Sequence, residues 1–336
     1  MKLMRYILFP LVPFYYLVTL LRNKLFDFGL KSSKSFDIPV ICVGNLSVGG
    51  TGKTPMIEYL IRLLKQKHKI ATLSRGYKRK TKGFVIANLT TSAQDIGDEP
   101  FQYFKKFNDV VVSVDSKRCN GIMQLLALNN KPDVILLDDA FQHRKVKAGF
   151  NILLTSYNNL YTNDLVLPTG NLREPKSGAK RADIIVVTKC PFTISAEEKK
   201  EIVNVLDPLS SQYVFFSSIS YPNTIKNFKE DKPIQYLKNN MFTLVTGIAN
   251  ARPLVEFLDS EGFTFEHLNF KDHHEFSRKE IENLKEKELI VTTEKDFMRL
   301  EPYFKDSKTI FYIPIEATLS NAKEFDSIID KFITSY

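Results

Sequence analysis

The stretch from Ile38 to Pro55, read as Ile-Pro-Val-Ile-Cys-Val-Gly-Asn-Leu-Ser-Val-Gly-Gly-Thr-Gly-Lys-Thr-Pro, limits what this chain can fold into more than any other. An apolar β-type run enters a glycine-rich turn, and Gly-Lys-Thr then opens a helical pattern, which is the context a phosphate-binding loop requires. Ser47, Val48, Gly49, Gly50, Thr51, Gly52, Lys53 and Thr54 form the expected cradle. Inward-facing backbone N–H groups and the positive helix N-terminus attract phosphate, Lys53 reaches the outer phosphates, and the Thr54 hydroxyl holds magnesium. Pro55 suits a first helical turn, where its missing N–H has no partner to lose. The general pattern places glycine where this chain has Ser47.

A phosphate-binding loop implies a parallel sheet, and the rest of the chain agrees. Candidate strands 38–44, 69–74, 109–114, 133–138, 151–154 and 183–188 alternate with helical stretches such as 56–67 and 116–129, the order of a sheet covered by helices. Ser, Pro and Asn cluster between Ser217 and Pro233, which reads as a connector. A second, shorter set of strands and helices follows it. The expected fold class is therefore α/β: a P-loop NTPase-type, mostly parallel sheet at 37–220, with a second, smaller α/β lobe at 221–336. A length of 336 residues fits about two domains.

Residues 1–36 stand apart. Lys2, Arg5, Arg22, Lys24, Lys31 and Lys34 face Asp27 alone, over half of a net charge of +9. No charge occurs from Tyr6 to Leu21, a run of 16 residues. That is shorter than the roughly 18–20 needed to span a bilayer, and Pro10 and Pro13 interrupt it. A signal peptide would want a small-residue cleavage site, which does not follow. A membrane-associated helix lying in the interface fits the basic flanks and the Tyr and Phe content; an ordinary core helix is the alternative. Cys42, Cys119 and Cys190 match no disulfide or zinc spacing. The charge alone does not choose between membrane, nucleic acid and phosphorylated substrate.

The subclass follows from what accompanies the loop. A partitioning-type ATPase would carry a lysine where Val48 stands, and a GTPase would carry Asn-Lys-x-Asp where Thr188-Lys189-Cys190-Pro191 stands. Both absences favour an ATP-dependent kinase acting on a small molecule. The apolar run 134–137 ends in Asp138 and Asp139, the expected second half of a magnesium site, or else a helix-capping pair. Asp98-Glu99-Pro100 places two carboxylates where one could take a proton and the other approach the metal, although it is also an ordinary helix start. Asp272-His273-His274 is as open to a surface reading, since adjacent histidines cannot both face one site. Arg173 puts a planar cation in a loop, to hold phosphate or merely to meet solvent.

Taken in order, Gly44 to Pro55, Ser74-Arg75-Gly76-Tyr77, Gly97-Asp98-Glu99-Pro100, Leu137-Asp138-Asp139-Ala140-Phe141-Gln142-His143, Leu172-Arg173-Glu174-Pro175, Phe270-Lys271-Asp272-His273-His274 and Thr293-Glu294-Lys295-Asp296 resemble the tetraacyldisaccharide 4'-kinase family of lipid A synthesis over nearly the whole chain. Ser47 agrees with that family's loop, whereas Ala140 departs from the glycine its members often carry. The resemblance implies ATP and Mg2+ as cofactors and transfer of the γ-phosphate to the 4' hydroxyl of an acylated disaccharide 1-phosphate lipid. It also implies a site at the cytoplasmic face of the inner membrane of a Gram-negative bacterium, against an anionic membrane surface. No nucleic acid and no obligate protein partner are expected. In the roles it implies, Asp98 is the base with His273 assisting, Glu99, Asp138 and Asp139 join Thr54 around magnesium, and Arg173 neutralises phosphate charge beside Lys53. Two other classes remain: a P-loop kinase or ligase acting on a soluble metabolite, for which 1–36 is core, and a nucleotide-gated membrane adaptor, whose function survives Asp98→Ala.

Overall fold

The computed structural model describes Arg5 and residues 7–272, 274–304 and 309–336. Along the chain the strands are β1 (Val40–Asn45), β2 (Ile70–Ser74), β3 (Val85–Ile86), β4 (Val111–Val114), β5 (Val134–Asp138), β6 (Phe150–Ser156), β7 (Ile184–Thr188) and β8 (Tyr213–Ser220). They continue as β9 (Thr224–Lys226), β10 (Asp231–Pro233), β11 (Phe242–Thr246), β12 (Phe265–Asn269), β13 (Ile290–Thr293), β14 (Ile310–Ile313) and β15 (Glu316–Leu319). The helices are α1 (Val12–Asp27), α2 (Lys53–Leu64), α3 (Ala93–Ile96), α4 (Asp98–Lys106), α5 (Arg118–Leu126), α6 (Ala196–Leu206), α7 (Arg252–Ser260), α8 (Arg278–Lys285), α9 (Glu294–Leu300) and α10 (Ala322–Thr334).

β1 and β5 are buried over their whole lengths, as central strands covered on both faces must be. They lie side by side in a nine-stranded sheet of order β15-β8-β7-β6-β1-β5-β2-β4-β3. The pairs from β8 to β4 are parallel, and only the edge strands β15 and β3 run antiparallel. The loops leaving β1, β5 and β7 therefore emerge at one end of the sheet, where ligands of open parallel sheets bind. The second sheet, β10-β9-β14-β13-β11-β12, is smaller and also mostly parallel.

Two expectations need correction. The Ser217–Pro233 stretch contains the end of β8 and all of β9 and β10, because pairing with β15 and β14 gives its backbone groups partners that local composition cannot reveal. The expected division at residue 220 also fails for the last residues, since β15 and α10 return to the first sheet. Phe325, Ile329 and Ile333, at i, i+4 and i+8, are buried against the first core, and the Phe325 ring meets Tyr59 of α2 edge-on at 5.7 Å. The Tyr59 hydroxyl donates to Asp326 at 2.7 Å, so the last helix braces the helix that carries the phosphate loop.

Pro10 and Pro13 do not break the N-terminal helix but start it, in a 3-10 turn at Phe9–Leu11 and in the first turn of α1, where a missing N–H costs nothing. α1 is inside out. Phe14, Leu17, Val18 and Leu21 are more than half exposed, while Asn23 is the helix's buried residue. No helix among the described residues is long and apolar enough to cross a membrane.

The lobes meet where α9 packs on α4. Glu58 of α2, Lys106 of α4 and Glu294 of α9 form a buried charge cluster there, with Lys106 Nζ 2.6 Å from Glu58 and 2.9 Å from Glu294. Burial, then the neighbouring Glu58 carboxylate, pushes Glu294 up to about 7 against the pull of Lys106. The folded chain thus keeps a proton that the unfolded chain releases near its ordinary value of 4.5. The associated stability is complete below that pH and is lost as pH rises through about 7, with a ceiling of about 3 kcal/mol. Glu294→Gln is expected to flatten the fall in melting temperature between pH 5 and 7.5, and an unchanged slope in thermal melts would place the titration elsewhere.

Candidate active site

The phosphate loop is shaped by its own sequence. Gly49 and Gly52 adopt φ values of +114° and +83°, a region side chains disfavour, and Gly52 is the N-cap from which α2 starts at Lys53. Neighbours then fix the loop. Asn45 Nδ2 donates to Thr51 Oγ1 at 2.7 Å, Thr188 Oγ1 donates to the Thr51 carbonyl at 2.8 Å, and Lys189 Nζ donates to the Gly50 carbonyl at 2.5 Å. The Thr188-Lys189 pair that lacks the guanine-reading carboxylate thus lies against the loop.

A short ladder brings Arg173 to the same place. Val48 N–H donates to Asn171 O at 2.8 Å and Arg173 N–H to Leu46 O at 2.7 Å, so the segment carrying Arg173 runs alongside the phosphate loop. Its guanidinium clasps Asp139 with two hydrogen bonds, at 2.7 and 3.2 Å, and also contacts the Asn45 side chain. Lys53 Nζ lies 3.8 Å from the same Asp139 carboxylate. Burial opposes ionisation of Asp139, but Lys53 and then Arg173 hold it below the usual carboxylate range. Asp139 has φ +48°, a strain of order 1–3 kcal/mol that turns its side chain toward these two cations.

Asp138, one residue earlier, is in the opposite state. It is buried, one oxygen accepts from Ser74 Oγ at 3.2 Å, and Oδ1 has no partner. Burial, then the Glu99 and Asp139 carboxylates, pushes it up to about 7. An orphaned, buried carboxylate oxygen among like charges fits a divalent cation, which would supply both the missing partner and the missing charge. Among the described residues no three His, Cys, Asp or Glu side chains form a self-contained metal cage. Magnesium does not need one, since it keeps waters and takes phosphate oxygens beside one or two carboxylates. Asp138, with Thr54 and Glu99 nearby, is therefore a suitable donor set.

Lys53, Arg173, Glu99, Asp138 and Asp139 are thus brought together. Asp98 is not among them. Adjacent helix residues diverge by about 100°, and while the charge of Glu99 bears on Asp138, the Asp98 carboxylate is held by Arg299 of the second lobe at 2.5 and 3.0 Å. His273 lies outside the described residues. Its neighbour His274 is engaged elsewhere, 3.1 Å from Glu280 and stacked on Phe270 at 4.7 Å.

Several residues around the site escape a sequence reading. Arg118 is 2% exposed and donates to the carbonyls of Asp115 and Asp138, although on a short amphipathic helix it looks like surface charge. Glu174 is 1% exposed and joins four segments. It accepts from Asn23 of α1 at 2.6 Å, from Gln142 at 3.0 Å and from Arg181 at 2.8 Å, and Gln142 donates in turn to Asn45 O. Tyr15 donates to Arg173 O at 2.9 Å and Arg22 to Gln142 O at 2.7 Å. The inward polar face of α1 is therefore wired to the Arg173 loop. The signal for Glu174 in the sequence is the run of Arg173, Glu174 and Pro175 itself.

A glycine-rich loop between a buried parallel strand and a helix, with a Lys, an Arg and a carboxylate cluster at its mouth, defines a P-loop phosphotransferase. The model of the family described as tetraacyldisaccharide-1-P 4'-kinase matches residues 4–334. The chain is 53% identical over 340 residues to the tetraacyldisaccharide 4'-kinase of Flavobacterium johnsoniae, covering 99% of this chain and 98% of that one. It is 45% identical over 332 residues to that of Bacteroides thetaiotaomicron, covering 92% and 87%. A crystal structure described as the "apo" form of LpxK from Aquifex aeolicus in complex with ATP superposes with a TM-score of 0.80 at 32% identity, covering 98% and 99%. The chain belongs to the tetraacyldisaccharide-1-phosphate 4'-kinase family.

Proposed function

We propose that this protein transfers the γ-phosphate of ATP to the 4' hydroxyl of a tetraacyl disaccharide 1-phosphate, a step in lipid A biosynthesis. The observation that carries this reading is the convergence of Lys53, Arg173 and the Asp138–Asp139 pair on the mouth of the phosphate loop, in a chain that belongs to that family throughout its length. Lys53 and Arg173 stabilise negative charge on the transferring group, acting from fixed positions and so without reorganisation at the moment of reaction. Thr54, Glu99, Asp138 and Asp139 would hold the magnesium that accompanies ATP, which would supply positive charge to offset that of the phosphates. Asp98, with His273, takes the proton of the acceptor hydroxyl. Radiolabel from γ-labelled ATP is expected to appear in the lipid disaccharide in detergent micelles. Release of inorganic phosphate alone, or transfer only to soluble acceptors, would overturn the reading.

The acceptor is a lipid, and α1 supports work at an anionic membrane surface, at the cytoplasmic face where ATP is available. Phe14, Leu17, Val18 and Leu21 point outward while Tyr15 and Asn23 are turned inward, an apolar face in solvent that a soluble helix would bury. Each large apolar side chain fully buried contributes roughly 1.5–3 kcal/mol, and each cation near anionic lipid about 1 kcal/mol. Deleting α1 is a poor test, because Glu174 and the Arg173 loop would lose partners with it. Serine at Phe14, Val18 and Leu21 together spares those partners and is expected to weaken binding to anionic vesicles at least about tenfold. The remaining binding should fall with salt, as exposed charges are screened over about 8 Å at physiological ionic strength. Co-sedimentation of the triple variant equal to wild type across a salt series would count against interfacial attachment.

A further inference from the structure

α1 turns different residues to its two sides. Phe14, Leu17, Val18 and Leu21 are exposed, while Tyr15, Arg22 and Asn23, at i, i+7 and i+8, share one face of the helix and make their contacts inward. What Tyr15 and Asn23 reach is the segment of Arg173. The Arg173 N–H donates to Leu46 O at 2.7 Å, just before the phosphate loop, and its carbonyl accepts from the Tyr15 hydroxyl at 2.9 Å. The next side chain, Glu174, is buried, and its two oxygens are engaged separately. Oε2 accepts from Asn23 Nδ2 at 2.6 Å and Oε1 from Gln142 Nε2 at 3.0 Å, with Arg181 Nη2 at 3.0 and 2.8 Å from the same two atoms. A carboxylate that deep keeps its place where donors replace water, and α1 supplies one of the three. The Gln142 nitrogen also donates to Asn45 O at 2.8 Å, and the Asn45 side chain contacts both Thr51 of the phosphate loop and the Arg173 guanidinium. Hydrogen bonds therefore run without a break from α1 to the loop and to Arg173.

We propose that Tyr15 and Asn23 are positioning residues for Arg173: the helix whose apolar side faces outward also holds, from its other side, the arginine that meets the transferring phosphate. This rests on the reading of Arg173 as a group that stabilises charge on the γ-phosphate. The peptide unit between Arg173 and Glu174 is held at its carbonyl by Tyr15 and, through the Glu174 carboxylate, by Asn23. Such a hold matters most in the reacting state. The clasp of the guanidinium on Asp139 uses N–H groups that an incoming phosphate also attracts, whereas the contacts of α1 involve none of them. Leu46 fixes the Arg173 N–H from the loop side and Tyr15 the carbonyl from the helix side, so the side chain starts from a point that both determine. A misplacement of about 1 Å at a reacting group costs on the order of 10²-fold in rate. Loss of one hold among several costs a part of that.

The test is steady-state kinetics on the full chain with MgATP and the lipid disaccharide in detergent micelles, well below the melting temperature of each variant, so that lost stability does not pass for lost rate. Tyr15→Phe, Asn23→Leu and the two together are compared with Arg173→Ala and with each change added to Arg173→Ala. Tyr15→Phe and Asn23→Leu are each expected to lower kcat by about 3- to 10-fold, and their combination by about 10- to 100-fold. Asn23→Gln, which keeps a donating amide, should recover part of the loss. Added to Arg173→Ala, either change should lower kcat by less than about twofold more, since residues acting through one group are non-additive. Co-sedimentation with phosphatidylglycerol vesicles should stay within about twofold of wild type, because neither residue lies on the exposed apolar side. Wild-type kcat in the combined variant, multiplicative losses on Arg173→Ala, or a loss of kcat that tracks a loss of vesicle binding would each overturn the inference and leave these contacts as links that only hold α1 in place. If the combined variant fails to fold by circular dichroism, Tyr15→Phe and Asn23→Ser decide by the same criteria. An Arg173→Ala enzyme as active as wild type would instead remove the reading of Arg173 itself, a result distinct from an inactive Arg173→Ala beside a fully active combined variant.

Discussion

Lys53→Ala is expected to lower turnover by about 10³-fold or more while leaving the fold intact. The lysine begins α2 from the mouth of the phosphate loop, and its ammonium lies 3.8 Å from Asp139, so it sits where outer-phosphate charge develops. A fixed donor at such a position is worth on the order of 10²- to 10³-fold, and cations that stabilise a transferring phosphoryl group can be worth more. Its contribution to the fold is small by comparison. Asp139 keeps its clasp with Arg173, and the loop geometry rests on glycine torsions, Asn45 and Thr188 rather than on the lysine. Turnover measured beside circular dichroism separates the two effects, and activity within tenfold of wild type would end the assignment of this loop. Arg173→Ala is a less clean experiment, because Arg173 also holds Asn45, whose side chain supports Thr51 in the loop.

How far the sequence reaches depends on whether the determining contacts are local. The phosphate loop is contiguous, and its strand, glycines, Lys53 and Thr54 are legible because each acts within a few residues of the others. The pairing of Asp138 and Asp139 with that loop is legible too, since an apolar run ending in carboxylates says that a strand delivers them to one end of a sheet. What lies between segments is not legible. Glu174 looks like a loop carboxylate until Asn23, Gln142 and Arg181 arrive from three other places. Arg118 looks like a solvated helix charge until the Asp138 carbonyl is beside it.

The same limit explains the ends of the chain. In the stripe Phe325, Ile329, Ile333, helical periodicity says which face is buried but not against which lobe, and only the pairing of β15 with β8 settles that α10 belongs to the first. At the N-terminus, composition separates an apolar basic helix from the rest. That α1 turns Tyr15, Arg22 and Asn23 inward and Phe14, Leu17, Val18 and Leu21 outward depends on polar groups elsewhere that need partners. On the proposed interfacial attachment, such a helix would tie the Arg173 loop and the lipid surface to one element.

Asp98→Ala is expected to lower turnover by about 10²- to 10⁴-fold, the range of a general base, with a much smaller change in the KM for ATP. Among the described residues the Asp98 carboxylate pairs with Arg299 of the second lobe, whereas Lys53 and Arg173 pair with Asp139, so its loss is expected to bear on proton transfer more than on nucleotide affinity. A carboxylate is a weak base at neutral pH, and a partner that shares or relays the proton makes it effective. His273 is the candidate from the sequence. His274 cannot serve, because its ring is committed to Glu280, Phe270 and Phe276, and neighbouring side chains in the chain diverge. If Asp98 and His273 act together, His273→Ala should lose about as much turnover as Asp98→Ala. The double variant should then be little worse than the poorer single one, since removing either half of a dyad removes the function of both. Because Asp98 pairs with Arg299 of the second lobe, such a dyad would depend on docking of the lobes, which would also keep water from the γ-phosphate. Fully multiplicative losses in the double-mutant cycle would show that the two side chains act independently, leaving His273 with no part in the proton transfer.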